Sequence, residues 1–86
     1  MEIKFKKSAT KALKQMDKPT KERIRKAIIG LTMTPPVGDI KTMQGYTDNR
    51  FRLRVGQYRI IYKYDTNGTV EILLILDIGA RGDIYK

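Results

Sequence analysis

The stretch Arg50-Phe51-Arg52-Leu53-Arg54-Val55-Gly56-Gln57-Tyr58-Arg59-Ile60-Ile61-Tyr62-Lys63-Tyr64 decides how this chain folds. Phe51, Leu53 and Val55 alternate with Arg50, Arg52 and Arg54, the period of two that a half-buried strand requires. Gly56-Gln57 permits a tight reversal. Tyr58, Ile60, Tyr62 and Tyr64 then fall on one face of a second strand, with Arg59, Ile61 and Lys63 on the other. Alternation places the three arginines of the first strand on one face, about 6.8 Å apart per two residues. Arg59, across the turn, is placed to join them. A solvated outer face is the plainer reading of this row. Long side chains of one sign repel one another, however, and mixing lysine with glutamate serves solubility better. An anion-binding face is therefore favoured.

Outward from this hairpin, Asp65-Thr66-Asn67-Gly68 signals a second tight turn, because Asn-Gly supplies the positive φ angles it needs. Val70 to Ile78 is almost wholly apolar and reads as a central strand covered on both faces, broken by Gly79. Upstream, Ile3 and Phe5 alternate with charged neighbours in a short first strand. Ser8 is a candidate cap for a helix with Ala9, Ala12, Leu13 and Met16 on its apolar face. Pro19 disfavours helix at Lys18 and suits the first turn of a second helix. That helix carries Ile24, Ala27, Ile28 and Leu31 on one face, and Thr34-Pro35-Pro36-Val37-Gly38 ends it. Residues 34–48 read as a loop. The expected architecture is α+β, in the order β-α-α-β-β-β, with a helical hairpin laid on an antiparallel three-stranded meander.

Composition narrows the chemistry. The 86 residues are expected to form one domain, 1–86, because a second core has too little chain to bury itself. Cysteine and histidine are both absent, which removes thiolate nucleophiles, disulfides, the commonest general base and the commonest transition-metal ligands. No metal and no cofactor is expected. The N-terminus lacks an apolar leader core and no apolar run approaches spanning length, so a soluble cytoplasmic protein without membrane contact is expected.

The net charge of +9 is unevenly spread. Residues 41–63 carry Lys41, Arg50, Arg52, Arg54, Arg59 and Lys63 against Asp48 alone. Residues 1–30 are lysine-rich, as either a solvated surface or a phosphate-facing field. No nucleophile–histidine pair, phosphate loop or metal cluster is present. What remains is arginine and tyrosine. That inventory suits attack of an RNA 2′-hydroxyl on its adjacent phosphate, which needs phosphate positioning and charge neutralisation and no protein nucleophile. Guanidinium groups match phosphate oxygens for those tasks.

The run Arg54-Val55-Gly56-Gln57-Tyr58-Arg59-Ile60-Ile61-Tyr62, the long apolar strand, and Ile78-Gly79-Ala80-Arg81-Gly82-Asp83-Ile84-Tyr85 resemble the C-terminal half of RelE/ParE toxins. The helical hairpin and Met43-Gln44-Gly45 match the N-terminal half more loosely. The resemblance implies the microbial-RNase-like RelE fold and a toxin of a type II toxin–antitoxin system. It implies a metal-independent endoribonuclease that cleaves mRNA in the ribosomal A site. On this resemblance Arg59, Arg81 and Tyr85 are catalytic: Arg59 stabilises the phosphate, Arg81 neutralises the transition state or serves the leaving group, and Tyr85 orients the substrate. Arg50 and Arg52 are implied to bind RNA phosphate, and Arg54, which alternation puts on their face, is expected to bind RNA with them. Ala80 stands where many relatives carry histidine, and arginine replaces the usual lysine at 50 and 52, which points to an electrostatic role there. The implied partners are an acidic, wrapping antitoxin and the 70S ribosome with its mRNA and rRNA. A ParE-like toxin that inhibits DNA gyrase by binding is the alternative. A third reading is a passive nucleic-acid platform of Tyr46, Phe51 and the arginines.

Overall fold

A computed structural model describes residues 1–80. In chain order it contains β1 (Glu2–Phe5), α1 (Lys7–Lys14), α2 (Lys18–Gly30), β2 (Asp39–Thr42), β3 (Phe51–Val55), β4 (Tyr58–Asn67) and β5 (Val70–Ala80). The described strands form a five-stranded sheet in the order β1-β5-β4-β3-β2. The α+β class and the β3–β4–β5 meander are as the periodicity predicts. Two strands extend that meander. β1 pairs with β5 in parallel, which makes the sheet mixed rather than antiparallel. β2 pairs with β3, with Ile40 opposite Leu53, inside the segment that reads as a loop. Among its four residues, Asp39-Ile40-Lys41-Thr42, only Ile40 is a large apolar residue, too little for alternation to reveal.

Both helices pack on the same face of the sheet, α1 against β5 and α2 against β3. Ile24, Leu31, Leu53, Ile60, Leu73 and Ile75 are at most 1% exposed between these layers. Each such side chain stabilises the fold by roughly 1.5–3 kcal/mol relative to exposure. Asp17 caps α2 by accepting from the Thr20 N–H at 3.2 Å, and Pro19 lies in its first turn. α2 ends at Gly30, earlier than the Pro35-Pro36 signal, although Leu31 beyond it stays in the core.

Ser8 does not cap α1. Lys6 occupies that position, and the Ser8 hydroxyl instead donates to the carbonyl of Leu76 at 2.8 Å. The reason lies in the sheet. The β4–β5 register shifts between Ile61 and Tyr62, which face Asp77 and Ile75, so Leu76 is the extra residue of a β-bulge. A bulge disrupts the local ladder, and Ser8 supplies the donor that Leu76 accepts. The second hairpin turn also sits one step later than expected. Asn67 still pairs with Val70, and the positive φ of 65° falls on Gly68.

Candidate functional site: an arginine row on the open face

Leu53 lies in the core, with Phe51 and Val55 packed against it, so Arg50, Arg52 and Arg54 face away from the helices. In register, Arg54 opposes Arg59, Arg59 opposes Gly79, and Arg52 opposes Ile61. The structure thus brings the four arginines singled out in β3, β4 and the approach to β3 onto one face. Arg81 and Tyr85 lie outside the described residues.

The four are not equivalent. Arg50 Nε donates to both oxygens of Asp48, at 2.9 and 3.0 Å, and its guanidinium carbon lies 4.6 Å from the centre of the Tyr46 ring. Lys63 Nζ approaches the same carboxylate at 3.5 Å. Partial burial alone raises the Asp48 pKa; Arg50 and then Lys63 outweigh it and hold the carboxyl below the ordinary aspartate value. Arg52 reaches Asp39 at 3.6 Å with its side chain only 12% exposed, and its Nε is buried without a hydrogen-bond partner. Such a long side chain lays its stem along apolar neighbours, here beside Ile61. Arg54 is exposed and makes no hydrogen bond or ion pair among the described residues. Of the β3 arginines, it is the one whose donors are most available to a phosphate.

Asp39 and Asp48 are the participants that sequence reasoning missed, because both fall in the segment that reads as a loop. Simple alternation puts Lys63 on the same face as Arg59, and the structure adds its tie to Asp48. The tyrosines divide differently. Tyr62 is 1% exposed beside Phe51 and Tyr64, with ring centres 5.5 and 5.7 Å away. Burial pushes its pKa up, reinforced by Tyr64. Tyr58 packs against the core. These rings support the sheet from the helix side and do not face the arginines.

A family model described as ParE toxin of type II toxin–antitoxin system, parDE, matches residues 3–85. Among solved structures, the archaeal RelE–RelB complex from Pyrococcus horikoshii OT3 is 28% identical, with 95% of this chain and 96% of that chain covered and a TM-score of 0.68. The YoeB/ParE toxin from Agrobacterium tumefaciens superposes with a TM-score of 0.79 at 17% identity, covering 94% and 99% of the two chains. The isolated E. coli RelE toxin has a TM-score of 0.71 at 18% identity, covering 98% and 89%. No curated protein matches by sequence. Among the described residues no helix is long and apolar enough to cross a membrane.

Proposed function

The chain belongs to the ParE toxin family of type II toxin–antitoxin systems, within the RelE/ParE superfamily, and on that premise we propose that it is a ribosome-dependent endoribonuclease. The observation that carries this reading is the row of Arg50, Arg52, Arg54 and Arg59 on the sheet face opposite the helices. In the reaction, an RNA 2′-oxygen attacks the neighbouring phosphorus. The P–O5′ bond breaks, a 2′,3′-cyclic phosphate forms, and the 5′-oxygen leaves with a proton. Arg54 holds the phosphate. Arg59 and Arg81 neutralise the charge that builds on the phosphorane. Tyr85 orients the substrate and serves proton transfer with water, since no histidine is present and a guanidinium stays protonated and cannot accept a proton. Arg50 and Arg52, anchored on Asp48 and Asp39, shape the field around that phosphate.

The proposed working partner is the 70S ribosome carrying mRNA and rRNA in the cytoplasm. The controlling partner is an antitoxin, a reading supported by the RelE–RelB complex from Pyrococcus horikoshii OT3 and by that from Methanococcus jannaschii, also 28% identical. A net charge of +9 favours an acidic, wrapping chain. The second reading, a gyrase inhibitor without nuclease activity, has the ParE designation of the family model in its favour.

One assay separates them. Messenger RNA positioned in the A site of purified ribosomes is incubated with wild type, Arg81→Ala and Tyr85→Phe, with naked RNA as the control. Cleavage confined to ribosomes and a loss of about two or more decades of rate in Arg81→Ala are expected. A folded wild type that leaves ribosome-bound message intact rejects the nuclease reading, and inhibition of gyrase supercoiling then supports the other.

A further inference from the structure

Beside the arginine row, on the same open face, lies a concavity of about 310 Å³. Ile61 and Leu76 contribute apolar surface to it, and Lys6, Tyr46, Arg50 and Asp77 contribute polar groups. Tyr46 is 47% exposed, and the Arg50 guanidinium 4.6 Å from its ring centre braces it. Arg50 is itself fixed by its two contacts with Asp48. The guanidinium covers one face of the ring and leaves the other for stacking.

Unlike Arg50, Lys6 and Asp77 keep hydrogen-bonding capacity in hand. Asp77 Oδ1 accepts from the Ile78 N–H at 2.9 Å, while Oδ2 has no hydrogen bond or ion pair among the described residues. The backbone N–H of Lys6 is tied to the Ile75 carbonyl at 2.8 Å, which anchors the lysine at the end of β1. Its ammonium pairs with neither Asp77 nor any other carboxylate among the described residues. A donor and an acceptor therefore line one small hollow with an aromatic ring at its edge.

We infer that this concavity binds a single unpaired nucleobase of RNA, stacked on Tyr46 with its hydrogen-bonding edge toward Lys6 and Asp77. The inference rests on the ribonuclease reading and adds a base-selecting residue set to it. A phosphate is the poorer occupant, because Asp48 already engages Arg50, the Asp77 carboxylate offsets Lys6, and Arg54 stands available nearby on the same sheet face. A base is the right one. Single-stranded RNA is recognised by stacking on aromatic rings and hydrogen bonding along base edges, and carboxylates accept from base amino and imino groups. The volume lies at the small end of ligand sites, about 300–1,000 Å³, which suits one base rather than several nucleotides.

The test titrates the isotope-labelled protein with adenosine, cytidine, guanosine and uridine 5′-monophosphates, and separately with ribose 5-phosphate, reading backbone amide shifts. The nucleotides are expected to move Tyr46 and Asp77 saturably, whereas ribose 5-phosphate moves only the surroundings of Arg54 and Arg59. Tyr46→Ala should weaken nucleotide binding roughly ten-fold or more. Asp77→Asn, which turns a pure acceptor into a mixed group, should reorder the four nucleotides and leave ribose 5-phosphate unchanged. Equal responses of Tyr46 and Asp77 to ribose 5-phosphate, or none to any nucleotide, overturn the inference. With ribosomal cleavage run alongside, cleavage without a nucleotide response at Tyr46 removes the base site and spares the nuclease. A nucleotide response without cleavage removes the nuclease reading and spares the site.

Discussion

Arg54 and Arg59 stand directly opposite each other across the β3–β4 hairpin, beside the turn at Gly56-Gln57. Directly opposed like charges in a sheet cost roughly 0.2–1 kcal/mol. Retaining such a pair on an exposed face is costly for folding and useful for holding an anion.

Arg54→Thr is therefore expected to raise the melting temperature at low salt by a few degrees, following about 4–8 °C per kcal/mol for a chain of this size. The gain should shrink in about 1 M salt, where the Debye length falls to about 3 Å. Ribosomal cleavage should fall by about ten-fold or more in the same variant. Differential scanning calorimetry at two ionic strengths, paired with the cleavage assay, measures both effects. Lower stability together with undiminished cleavage contradicts both.

Asp48→Asn releases Arg50 and Lys63 from their shared carboxylate. RNA binding should tighten, and its salt slope should steepen by about 0.7 for each additional phosphate neutralised on a single strand. Fluorescence anisotropy of a labelled oligonucleotide over a salt series reads this directly. Asp48 also sets an acid limb for stability. Its folded pKa is depressed, so its contribution is present above the unfolded value of about 3.9 and is lost as pH falls through the lower folded value. The stability gap between wild type and Asp48→Asn should close across that window in denaturant titrations.

Ser8→Ala leaves the Leu76 carbonyl without its hydroxyl donor at the bulge. A loss of about 1 kcal/mol is expected from the hydrogen bond, and urea denaturation should show a lower midpoint at unchanged slope. If Ser8 acted as an ordinary helix cap, Ser8→Asp would rescue the loss. The structure predicts that it makes it worse, because a carboxylate then meets a carbonyl oxygen.

Gly56 has a φ of 60°, and a Cβ there would lie 3.0 Å from Arg23 Nη2. The guanidinium is the far end of a flexible side chain and moves aside, so the backbone conformation sets the cost. Gly56→Ala should destabilise by about 1–2 kcal/mol. Gly56→Asn should cost less, because asparagine tolerates this region better. Comparing the two variants by thermal melts distinguishes backbone strain from the Arg23 contact.

At alkaline pH, Tyr62 and Tyr64 set the other limit. Burial raises both phenol pKa values above their ordinary value of 10.0. Their contribution is full below about pH 10 and is lost as pH rises through the higher folded values. Tyr62→Phe should flatten the fall in stability between about pH 10 and 12. An unchanged alkaline slope by circular dichroism melts counts against this assignment.

By itself, the sequence determined the meander, the two helices and the common face of Arg50, Arg52, Arg54 and Arg59. Those features follow from local periodicity and from the steric needs of glycine and proline, which nearest neighbours dictate. It also placed Arg59, Arg81 and Tyr85 in a family pattern and excluded histidine and thiolate chemistry. Only the tertiary structure decided what those arginines face. The short strand β2 carries a single inward apolar residue, so its existence depends on pairing with β3 rather than on its own pattern. Asp48 meets Lys63 at a separation of 15 residues, and Ser8 meets Leu76 across 68. The bulge at Leu76 shifts the side-chain alternation of β5, leaving Leu76 and Asp77 beside one hollow with Lys6. Contacts of that range are set by register and by packing between layers, which no local window of sequence contains.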